Sequence, residues 1–73
     1  MNKFNLASSM ADRINFDNAV RNYLDEANNT EPLVTEAKDV YFEQFINSLE
    51  VDDLEEAKAR FDDIFTKLSN KID

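Results

Sequence analysis

At 73 residues the chain is long enough for one domain and too short for two. It has no cysteine and no histidine, which excludes a disulfide or an ordinary structural zinc site as a staple. Sixteen acidic against eight basic residues give a net charge of −8, which disfavours direct nucleic-acid binding and attachment to anionic membranes and favours basic partners.

A hydrophobic fraction of 42%, with six Phe and two Tyr, is too apolar for a disordered chain. Glycine is absent and proline occurs once, so the tight turns of a small sheet protein are not available and helices are expected. In the first segment, Asn5 to Ile14, Ala7, Met10, Ala11 and Ile14 recur at the spacing of one helix face. Phe16 lies only two residues after Ile14, so the phase breaks and a kink or turn is expected near Asn15. The second helix is read from Phe16, Ala19, Val20, Tyr23, Leu24 and Ala27, with Asn15 as its N-cap and Asp17 in its first turn. Asn28-Asn29-Thr30 is expected to end it, because Asn tolerates the left-handed conformation.

The third helix is expected from Thr30 or Glu31 to Leu49, with Pro32 in its first turn. Its apolar residues cover more than half of the circumference, a wider face than a surface helix carries, which predicts a central position with neighbours on two sides. The fourth helix is expected over about 52–72, with Leu54, Ala57, Phe61, Ile64, Phe65, Leu68 and Ile72 in one stripe. Asp52 with Glu55 resembles a capping box, and Lys67 and Lys71 suit the negative end of the dipole. Only Glu50 and Val51 separate these two helices, which predicts an antiparallel hairpin. The expected fold is an all-α bundle of three to four helices, residues 1–73 as one domain, centred on this C-terminal hairpin.

Catalysis is not expected. The commonest general base and the best neutral-pH nucleophile are both missing. Ser8, Ser9, Ser48 and Ser69 have no nucleophile context, and Ser8-Ser9 reads as a helix start. Without glycine there is no phosphate-cradling loop or dinucleotide fingerprint. Glu36, Asp39 and Glu43 share a helix face, but no EF-hand loop or Glu-x-x-His pair is present, so neither metal nor cofactor is expected. The plain reading of these acids is a solvated face.

Phe42, Phe45, Phe61 and Phe65 read first as core. The alternative is that part of the third helix is left uncovered and buries a partner. On that reading Tyr41, Phe42, Phe45 and Ile46 supply an apolar anchor, and Glu50, Asp52, Asp53, Glu55 and Glu56 steer it toward a basic protein surface. A homodimer through the same face is a further outcome. Two other readings stand beside this one: an acidic nucleic-acid mimic, weakened by Lys58 and Arg60 within the acidic surface, and a self-assembling bundle such as a minor virion component.

No run approaches the ~18 apolar residues that cross a bilayer. Met1 to Ala11 does not resemble a signal peptide, so a cytoplasmic location, in the producing cell or a host, is expected. In size, charge and lack of catalytic residues the chain resembles the small early proteins with which phages redirect host machinery. That resemblance is one of general type, covers no motif and carries no residue across. The expected function is that of a non-catalytic protein-binding regulator, inhibitor or adaptor.

Overall fold

A computed structural model describes residues 3–47 and 49–71; Ser48 and Ile72, both considered above, lie outside the described residues. The protein is a compact all-α bundle of about three helices: α1 Met10–Thr30, α2 Lys38–Ile46 and α3 Leu54–Lys71. A short 3-10 helix, Thr35–Ala37, leads into α2. Two short strands, β1 Lys3–Phe4 and β2 Glu50–Val51, pair in parallel, Lys3 opposite Glu50 and Phe4 opposite Val51.

α1 is one continuous helix, with no break at Asn15. Ser9 is its N-cap, with its hydroxyl accepting from the Asp12 N–H at 3.2 Å. The two apolar phases of the sequence are two faces of the same helix. Phe16, Val20 and Leu24 are buried, whereas Met10, Ala11 and Ile14 face outward. Asn15 inside the helix costs only about 0.7 kcal/mol relative to Ala, too little to force a kink. The segment before the cap folds back as a turn, so that Leu6 enters the core, and Arg13 donates from its guanidinium to the carbonyls of Leu6 and Ala7.

The far end of α1 also differs from expectation. The helix runs through Thr30 and closes at Glu31 in extended backbone, and no described residue has positive φ. Asn28 acts through its side chain instead: its Oδ1 accepts from the Leu33 N–H at 3.3 Å. Pro32 stands in this extended connection and not in a helical turn, which matches the restriction that proline places on the residue before it. Leu33 turns into the core, and helical backbone resumes only at Thr35. The expected long third helix is therefore the nine-residue α2 with its 3-10 lead-in.

The frame of the bundle is the α1–α3 pair. The two run parallel: Asp17 meets Arg60, and further along both helices Arg21 and Asp25 share a groove with Ile64, Lys67 and Leu68. Parallel packing follows from the paired strands, since each strand feeds the start of one of these helices. α2 packs against both. Phe45 sits between them, with ring centroids 5.6 Å from Phe16 and 5.9 Å from Phe61. Against α3 it runs antiparallel, Tyr41 beside Phe65 and Phe45 beside Phe61. The predicted hairpin is therefore present, but it is not the centre of the fold.

The cap of α3 is displaced by one residue from the expected Asp52. Asp53 caps α3: its Oδ1 accepts from the Glu56 N–H at 3.1 Å, and its carbonyl accepts from the Ala57 N–H. Asp52 has a long-range task. Its carboxylate accepts from the Leu6 N–H at 2.8 Å, while its own N–H donates to the Phe4 carbonyl at 3.1 Å. Asp12 binds the same segment, accepting from the Asn5 N–H at 2.9 Å. The N-terminal strand is thus held by acids from the starts of both long helices.

Candidate functional site

The residues proposed as an apolar anchor do not form an open surface. Phe45 is 8% exposed and is ringed by Phe16, Tyr23 and Phe61. Tyr41, Phe42 and Ile46 are half-buried and packed against the core. Phe42 meets Phe61 edge-on at 5.2 Å, and Tyr41 lies 5.9 Å from Phe65. Of the two readings of these rings, core or uncovered anchor, the packing fits the first: α1 and α3 together supply enough apolar surface to cover most of them. None of the eight aromatic side chains is exposed.

The acids proposed as a rim fall into two groups. Glu50 and Glu55 are exposed. Asp52, Asp53 and Glu56 have structural partners: the Leu6 amide, the start of α3, and Arg60. Arg60 bridges Glu56 and Asp17 at 2.8 Å each. Burial works to lower the Arg60 pKa, but the hydrogen bonds and charges of Glu56 and Asp17 outweigh it and the net shift is upward. Asp17 Oδ1 is buried without a hydrogen-bond partner among the described residues.

The surface that α2 and its 3-10 lead-in present outward is acidic. Glu36, Asp39 and Glu43 are all exposed, and no ion pair engages them among the described residues. Val40 lies in their midst, one turn from Glu36 and from Glu43, and is 53% exposed. Periodicity alone does not set Val40 apart, because an apolar residue on a half-apolar helix looks like every other. What separates it from Tyr41 and Phe45 is phase, and the phase was legible only once those rings had been placed.

The inner side of α2 is fixed against α1 and α3. Tyr23 Oη donates to Gln44 Oε1 at 3.4 Å, and Lys38 pairs with Asp62. The Tyr23 pKa is raised, first by burial and then by the neighbouring Tyr41. Among the described residues, no group of three or more acids converges closely enough to hold a metal ion. Among them, too, no helix is long and apolar enough to cross a membrane.

No protein-family model, curated protein or solved structure matches this chain. Any functional assignment therefore rests on its own surface.

Proposed function

We propose that the protein is a non-catalytic regulator that binds a basic surface of another protein through the outward side of α2. The observation that carries this reading is the exposed set Glu36, Asp39 and Glu43 around the half-exposed Val40. Carboxylates left without cations attract a basic surface and orient it, while an apolar side chain at their centre gains from being covered. Glu50 and Glu55 extend the negative field beyond the far end of α2. This reading keeps the division into apolar contact and acidic rim but moves the contact from the rings to Val40.

The test is affinity capture from a lysate of the producing cells, comparing the native chain with Val40→Asp and with Asp39→Lys/Glu43→Lys. The expected result is a basic protein retained by the native chain and lost from both variants, with helical circular dichroism unchanged. Equal retention by all three chains would refute the assignment.

A further inference from the structure

We infer that the outward face of the α1–α3 pair, on the flank opposite α2, is a contact surface for a second copy of this chain. The inference does not rest on the role proposed for α2, because the two surfaces lie on different sides of the bundle. On α1 the flank toward α2 carries Tyr23, which reaches Phe45 and Gln44. On α3 the flank toward α2 carries Asp62 and Phe65, which meet Lys38 and Tyr41. The other flank is free of α2.

Two stripes line it. On α1, Met10, Ile14, Asp17 and Arg21 follow each other at intervals of four, three and four residues, the spacing of one helix face. On α3, Glu56, Arg60, Asp63 and Lys67 repeat the same intervals. The Asp17–Arg60 pair joins the stripes at 2.8 Å. Beyond it the helices part into a groove of about 340 Å³, floored by Ile64 and Leu68 and edged by Arg21, Asp25 and Lys67. Nearer the helix starts, Met10 is 67% and Ile14 55% exposed.

Charge selects the occupant. This face holds three cations, Arg21, Arg60 and Lys67, against four acids, Asp17, Asp25, Glu56 and Asp63. The rest of the chain has twelve acids against five cations. Two molecules of net charge −8 repel each other over most of their surface. Here each meets a nearly balanced set of charges with the exposed Met10 and Ile14 beside it. A basic partner would find more favourable surface elsewhere on the protein, so a second copy is the better fit. A two-fold contact uses the same patch on both molecules, and a balanced mixture of signs is what self-complementarity requires.

Size sets the expected strength. α3 has 18 residues, so the face is about 27 Å long at ~1.5 Å per residue. Across a bundle 19 Å wide this gives roughly 500 Å² per copy, or about 1,000 Å² in all, at the lower limit for a specific interface. The dimer should therefore be concentration-dependent and not obligate.

Sedimentation velocity on the full chain, from about 10 µM to about 1 mM, tests this against the affinities such interfaces give. A reversible monomer–dimer equilibrium is expected. Ile14→Asp and Arg21→Glu, each verified as helical by circular dichroism, should each raise the dissociation constant at least tenfold. Val40→Asp should leave it unchanged. A chain that stays monomeric throughout overturns the inference, as does a smaller effect in either face variant or an equal effect in Val40→Asp. Loss of the basic partner in Val40→Asp with the dimer intact separates the two proposals.

Discussion

Replacing Phe61 by Ala should remove a large part of the stability of the fold. Phe61 is 1% exposed and lies against Phe42, Phe45 and Phe65, with ring centroids 5.2, 5.9 and 6.4 Å away. It contacts two rings of α2 and so carries much of the packing between α2 and α3. Burying a phenyl ring and then deleting it costs about 3–5 kcal/mol, transfer and cavity together. A domain of this length has a total of about 4–11 kcal/mol at ~0.05–0.15 kcal/mol per residue. In urea, with a slope near 1.2 kcal/mol/M for a small protein, the midpoint should fall by roughly 2.5–4 M. Circular dichroism during urea titration measures this directly, and a variant already unfolded in buffer fits the upper end of the range. Phe4→Ala is the internal comparison. Phe4 is half-buried and pairs with Phe16 at 5.8 Å on the edge of the core, so its loss should cost well under half as much. If Phe61→Ala moved the midpoint by less than about 0.8 M, a cost near 1 kcal/mol, the ring cluster could not be the junction of the helices.

Phe45→Asp should abolish cooperative unfolding altogether, because it places a carboxylate among three rings, whereas Val40→Asp should change stability by no more than about 0.5 kcal/mol; thermal melts of the two variants make the comparison. Asp53→Ala should lower stability by about 1 kcal/mol through loss of the α3 cap. Asp52→Ala should instead release the Leu6 amide, seen as faster hydrogen exchange at Leu6 with α3 still protected. The Tyr23 phenol should ionise above the ordinary tyrosine value of 10.0, checked by ultraviolet titration of Tyr41→Phe, which leaves one tyrosine and removes the lesser of its two perturbations. Because its folded pKa is raised, the unfolded chain loses this proton first. The stability it contributes is complete below pH 10 and declines as pH rises through the folded value.

The helices themselves were legible in the sequence, and the reasons the rest was not are specific. Phe16, Val20 and Leu24 stood out at the correct spacing, and so did Ala57, Phe61, Ile64 and Phe65. The apparent kink came from the change of phase between the Met10–Ile14 stripe and Phe16, which a second face of the same helix explains equally well. Periodicity identifies a stripe but does not say whether the stripe points inward, and the outward stripe of α1 has the same spacing as the buried one. The cap was ambiguous for a related reason. Asp52 with Glu55 and Asp53 with Glu56 fit the same four-residue pattern, and only the pull of the Leu6 amide on Asp52 decides between them. The strands gave no signal, since two residues are too few to show alternation and each pairs 47 positions away. The acidic face of α2 was visible from Glu36, Asp39 and Glu43, but Val40 at its centre was not.

The parallel strands have a consequence for how the chain can fold during its synthesis. Phe4 leaves the ribosome 47 residues ahead of Val51, its partner, an interval of roughly 2–10 s at ordinary elongation rates. Throughout that time Phe16, Val20 and Leu24 lack the α3 side chains that cover them, because every residue of α3 comes later still. The nascent chain therefore carries an uncovered greasy helix until Leu54–Lys71 has emerged. A ribosome stalled before residue 54 would hold a chain with no complete core, which chaperones or proteases could engage.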